Sequence, residues 1–252
     1  TAPTLTSVSI ASNNAANRSL ARAGDTITLS ITADEDILMP SVTIAGHPAL
    51  VRGGATRYWA MLTVHQNMQI DGALVAFAVS FVDVAGNAGL DMTSVTGDER
   101  VSVDMAAPTL FSVAMISDNV GDTSRANVGD TVTVSITASE PIMAPTVNIA
   151  GSVATVGGSG AAYTANYTVG RDDHDGVCGI AVVLRDLAGN TGMVPIALAD
   201  GVGVTLDLAA PILLSVSIES DNTASASRAN AGDTISVSFM ASEAIVEPSV
   251  TI

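Results

Sequence analysis

Along the first hundred residues, apolar and polar side chains alternate one by one. Ile27, Leu29 and Ile31 are interleaved with Thr26, Thr28 and Ser30, and Phe77, Val79 and Phe81 with smaller residues. A period of two belongs to a strand with one face in a core and the other in solvent. Clusters of Gly, Asn, Asp and Pro interrupt the runs roughly every ten residues, as turns between short strands do. The pattern predicts seven strands, near 5–10, 26–32, 41–45, 48–52, 57–64, 73–82 and 100–104. No segment carries the helical period. Seven short alternating strands in about a hundred residues predict an all-β fold, an immunoglobulin-like sandwich. The phase of the fifth strand turns Tyr58, Ala60, Leu62 and Val64 inward. Trp59 and Met61 then face outward, as a lateral contact patch or beneath a neighbouring loop.

The pattern repeats. "APTLTSVSIASNN" at Ala2 returns as "APTLFSVAMISDN" at Ala107 and "APILLSVSIESDN" at Ala210, with offsets of 105 residues from Pro3 to Pro108 and 103 from Pro108 to Pro211. "FVDVAGNAG" likewise returns as "LRDLAGNTG". The chain therefore divides into unit one, 1–104, unit two, 105–207, and the opening of unit three, 208–252. Unit three reaches only its expected third strand, "PSVTI", and cannot close a core alone. The expectation is a window on a longer array, or a unit completed by strands of a neighbouring molecule.

Composition sharpens this. Nearly half the residues are apolar, but 3% are aromatic and 13% charged, against about 25% charged in average domains. The nine basic residues are all Arg, the acidic ones number 25, and the net charge is −16. Holding phosphates takes a basic stripe, so nucleic acid is excluded as a partner. An anionic membrane surface is disfavoured for the same reason, and no apolar run is long enough to span a bilayer. Oxygen-rich acidic surfaces suit divalent cations, Ca²⁺ in particular. Cys178, the single cysteine, alternates with Ile180, Val182 and Leu184 and reads as a small buried hydrophobe.

Each unit ends on Asp, Asp104 or Asp207, followed by Ala-Ala-Pro. Proline fixes its own φ and extends the residue before it, so the linker is short and stiff. In a sandwich of this type the loops after the second and sixth strands lie beside the incoming linker. In unit two those loops carry Glu140 and the turn Asp186-Leu187-Ala188-Gly189-Asn190; the trailing pole of unit one offers Asn13, Asn14, Asp25 and Asp71. Carboxylates gathered there repel unless a cation joins them, and a Ca²⁺ would lock the angle between units. The candidate ligands are Asp104, Glu140, Asp186 and Asn190, their repeats Asp83, Asp207 and Glu243, and Asp118 of the first loop of unit two, with Asn119 and Asp122 beside it. Asp25, Asp130 and Asp233 lie in Gly-Asp-Thr and also read as ordinary turn formers. Asp83 and Asp186 also read as caps of a tight turn. "GRDDHDG" at Gly170 lacks the spacing of an EF-hand; with Asp172, Asp173 and Asp175 it reads as a second cation site or a solvated loop.

The "D-x-A-A-P" linkers, "A-S-E-P-I" at Ala138 and "D-L-A-G-N" at Asp186 resemble the tandem bacterial-type immunoglobulin-like repeats of giant extracellular adhesins and surface filament proteins. The resemblance covers the whole chain. It implies an extended stalk with Ca²⁺ at the junctions, with Asp104, Asp207, Asp83 and Asp186 as the preferred ligand positions. Unit one departs from the pattern with Asn13-Asn14 in place of Asp-Asn.

His47, His65 and His174 fall at non-equivalent positions and no catalytic spacing links them, so an enzyme is not expected. The expected role is structural: an extracellular stalk or filament, assembling end to end and laterally with copies of itself. The alternative is a module that binds carbohydrate or a protein through exposed loops or the Trp59 face, with only eight aromatic residues to serve it. Two glycosylation sequons begin at Asn17 and Asn166.

Overall fold

The computed structural model describes residues 1–196 and 203–252. Unit one contains β1 (Leu5–Ser12), β2 (Leu20–Ala21), β3 (Thr26–Ala33), β4 (Ser41–Ile44), β5 (His47–Pro48), β6 (Leu50–Gly54), β7 (Arg57–Thr63), β8 (Phe77–Ser80) and β9 (Ser102–Val103). One sheet has the order β1-β3-β7-β6, the facing one β5-β4-β8, and β2 pairs with β9. Unit two repeats the plan with β10 (Leu110–Ser117), β11 (Arg125–Ala126), β12 (Thr131–Ala138), β13 (Thr146–Ile149), β14 (Ser152–Val153), β15 (Thr155–Ser159), β16 (Ala162–Thr168), β17 (Gly176–Val177), β18 (Ile180–Arg185), β19 (Thr191–Ile196) and β20 (Thr205–Leu206). Its sheets run β10-β12-β16-β15 and β14-β13-β18-β19. The chain is a tandem of immunoglobulin-like β-sandwiches.

Period-two alternation builds the cores. In β3, Ile27, Leu29 and Ile31 are buried against Tyr58, Ala60 and Leu62 of β7 and against Val42, Ile44 and Val79 of the facing sheet. Val132, Val134 and Ile136 take these places in unit two, with Tyr163, Ala165, Val147 and Val182. Each core keeps one buried phenol satisfied: Tyr58 Oη donates to the Ile37 carbonyl at 2.7 Å and Tyr163 Oη to that of Ile142 at 2.9 Å. Cys178 is buried, and burial pushes its thiol upward.

Two expectations change. The "D-x-A-G-N" turn does not lead straight to the last strand. It closes a hairpin from β18 into β19, and in unit one a looser return bridges Val82 to Ala88 and Val79 to Met92. The last strands are two-residue pieces, β9 and β20, running parallel to β2 and β11. In unit three, β21 (Leu213–Ser220) pairs with β22 (Ile235–Ala241), and the expected third strand at 248–252 is not formed. Its counterparts β4 and β13 pair with β8 and β18, and no such partner for it lies within these residues.

Candidate cation site at the junction of units one and two

The junction is built from β9, the linker, and two loops of unit two. Asp104 directly follows β9 and is placed by its own N–H, which donates to the Ala21 carbonyl at 2.8 Å. The next N–H, of Met105, donates to Asp71 Oδ1 at 2.7 Å. Glu140 lies in the loop after β12. Asp186 begins the turn after β18 and is fully buried.

The sequence dictates the form of this turn. Gly189 adopts a φ of 89°, the left-handed region that glycine enters without steric cost. Asn190 donates its N–H to Asp186 Oδ1 and its Nδ2–H to Asp186 Oδ2, both at 2.8 Å. Asp186 therefore caps its own turn, as Asp83 does in unit one through Asn87 at 2.7 Å. The Asn87 bond holds the Asp83 carboxyl below the usual range.

The turn also docks on the trailing pole of unit one. Asn14 Nδ2 donates to the Ala188 carbonyl at 2.8 Å and Arg22 to that of Gly189. Asn190 Nδ2 donates to the Asp104 carbonyl at 2.9 Å. These bonds bring carboxylates from both units together: one oxygen each of Asp104, Glu140 and Asp186 lies within 4.8 Å of the others. Burial raises the Asp104 carboxyl above its usual range, and the charges of Asp186 and Asp71 add to this. Burial also raises Glu140, reinforced by Asp104, Asp186 and Asp71. Arg22, the basic side chain docked on this turn, is spent on a carbonyl.

The other expected ligands stand elsewhere. Asp118 Oδ1 accepts the Thr131 N–H at 2.7 Å, closing its own loop. Asp122 holds Ser124 and Arg125, and Asn119 donates to Asp130. Asp207 and Glu243 line a cavity of about 510 Å³ at the second junction, where Arg125 reaches Asp207 at 3.2 Å. Asp83 is at the far pole of unit one. Asn17 and Asn166 are exposed, as are the three histidines. Trp59 is 46% exposed and Met61 half-buried, on the outer sheet face. The contacts of Asn14 and Arg22 across the junction have one sequence signal, the position of their loop at the trailing pole. Unit two carries Asn127 where unit one has Arg22.

No protein-family model and no curated protein sequence matches the chain. Among solved structures, it is similar to the fibronectin(III)-like modules of Clostridium thermocellum CbhA, at 16% identity over 79% of this chain and 93% of that one, with a TM-score of 0.37. It is similar to the I9-I11 tandem from titin at 10% identity over 78% and 64% of the two chains, with a TM-score of 0.34. For Rst D1-D2 the identity is 12% over 82% and 100%, with a TM-score of 0.34. These likenesses concern architecture alone. No helix among the described residues is long and apolar enough to cross a membrane.

Proposed function

We propose that the chain is a structural segment of a large extracellular surface protein, a stiff stalk or filament whose first junction is clamped by Ca²⁺. The observation that carries this is the convergence of Asp104 from unit one with Glu140 and Asp186 from unit two. Ca²⁺ takes oxygen ligands at about 2.3–2.6 Å, so two ligands on opposite sides of one ion stand about 4.8 Å apart. The three carboxylate oxygens fall within that span. The ion would supply charge neutralisation and cross-link the units; waters would complete its shell.

The stiff Ala-Ala-Pro linker and the three direct bonds on the turn support a fixed angle between units. Lateral packing between copies is supported by the outer sheet of unit two. Its strands β10, β12, β15 and β16 contain no Asp, Glu, Arg or Lys. They therefore lack the charges that usually keep sheet edges apart.

The test is calorimetric titration of the full chain with CaCl2. Saturable binding is expected, weakened at least tenfold by Glu140→Gln and unchanged by Asp118→Asn. Absence of binding, or equal binding by the wild type and Glu140→Gln, refutes the clamp.

A further inference from the structure

The outer face of the first unit's four-stranded sheet is basic, in a chain that is acidic. Strands β1, β3, β6 and β7 contain no carboxylate, and their two charged residues are Arg52 and Arg57. Arg52 lies directly across from Trp59, and Leu50 across from Met61. Arg57, Trp59 and Met61 share the side opposite the buried Tyr58, Ala60 and Leu62. Leu50 is 57% exposed. Neither arginine joins an ion pair among the described residues.

The fold does not require these side chains. Unit two builds the same sheet with the same pairing, and the five positions become Thr155, Gly157, Ala162, Thr164 and Asn166. Large, sticky and basic in one unit, small and neutral in the other, the five residues have a task particular to unit one.

Size and charge define the occupant. Strands lie about 4.8 Å apart and alternate residues about 7 Å apart, so the plate covers roughly 200 Å². A stable protein interface takes about 800 Å² from each partner. The plate is thus too small for a second copy and matches a few sugar rings. An indole face receives the C–H face of a pyranose, and a guanidinium fork grips a carboxylate or sulfate in bidentate fashion. Ser30 and Thr28, opposite Trp59 and Met61 on β3, add hydroxyls at the margin.

We propose that this face binds an anionic polysaccharide, with Trp59 stacked on a sugar ring and Arg52 and Arg57 on the acidic groups of the same stretch. The net charge of −16 opposes a polyanion at long range, whereas the two arginines act at contact. The Debye length falls from about 30 Å at 0.01 M salt to about 8 Å at 0.15 M. Moderate salt therefore removes the distant repulsion first, and affinity rises before it falls. A basic nucleic-acid binder weakens steadily with salt instead. The proposal is independent of the cation at the junction.

Trp59 is the sole tryptophan, so its fluorescence reports this face alone. The full chain, in chelator to silence the junction, is titrated with polygalacturonate, dextran sulfate and neutral dextran. A saturable shift with either polyanion is expected, carboxylate and sulfate being distinguished by which responds, with none for dextran. Affinity at 0.15 M salt should exceed that at 0.01 M at least twofold. Arg52→Gly with Arg57→Ala, the residues unit two carries, should lower it at least tenfold while circular dichroism stays unchanged. Trp59→Thr, tested by affinity electrophoresis, should lose binding equally. No response to either polyanion, an equal response to dextran, or a fluorescence change driven by protein concentration alone and lost in the double variant overturns the proposal; the last would mark a self-association face.

Discussion

Glu140→Gln should change the sign of its effect with the metal. At 4.8 Å, the outer limit of the cluster, two carboxylates repel by about 0.9 kcal/mol at the dielectric of water and about 3.5 kcal/mol at an effective dielectric of 20. Asp104 and Glu140 are only partly buried, so solvent screening keeps the energy towards the lower figure. Glu140 takes part in two of the three repulsions. Removing its charge in chelator should then stabilise unit two by about 1–3 kcal/mol, and each kcal/mol is worth about 4–8 °C in a domain of this size. In saturating Ca²⁺ the same change removes a ligand and should lower Tm below that of the wild type. Differential scanning calorimetry of both chains, with and without Ca²⁺, is the assay. The pH dependence follows the same charges. The folded Asp104 and Glu140 carboxyls are raised, so the folded state binds more protons than the unfolded one. In chelator, the associated stability is fully present below the ordinary carboxylate range and is lost as pH rises through the raised values. Glu140→Gln should flatten that slope. An equal fall in Tm under all conditions would instead show Glu140 to be a packing residue, with no charge repulsion to relieve.

Other outcomes test the scaffold. Tyr163→Phe leaves the buried Ile142 carbonyl without its 2.9 Å partner and should cost unit two about 1–3 kcal/mol in urea unfolding. Gly158 has a φ of 127°, and a Cβ there would lie 2.8 Å from Tyr163 Cα and meet the Ala162 carbonyl oxygen. Gly158→Ala should therefore destabilise by at least about 2 kcal/mol, read by the same unfolding. Asn14→Ala removes the bond to the Ala188 carbonyl; amide exchange in the 186–190 turn should accelerate while the core of unit one keeps its protection.

The alternation revealed much of the architecture because burial on one face writes itself as a period of two. The inward set Tyr58, Ala60, Leu62 and Val64 is buried as its phase requires. The two-residue β2 is too short to carry any period, the strand expected near 100–104 is present only as the two-residue β9, and seven expected strands leave no place for β19 beyond the turn after β18. Repetition marked the junction carboxylates: Asp104, Glu140 and Asp186 recur at unit ends and in pole loops, where a sandwich brings its loops together. Asp118 recurs too, but its side chain closes a local loop, and spacing does not separate a carboxylate that accepts its own backbone from one facing another unit. Arg22 has no repeat and reaches the turn only through tertiary docking.

Small-angle scattering from the full chain in Ca²⁺ and in chelator reads the clamp itself. The clamp predicts that Ca²⁺ sharpens the cross-unit distance distribution at an undiminished maximum length, and that chelator broadens it through hinging at Asp104. Superimposable curves in the two conditions would contradict it, leaving the angle between units to the stiff linker and the direct bonds from Asn14, Arg22 and Asn190.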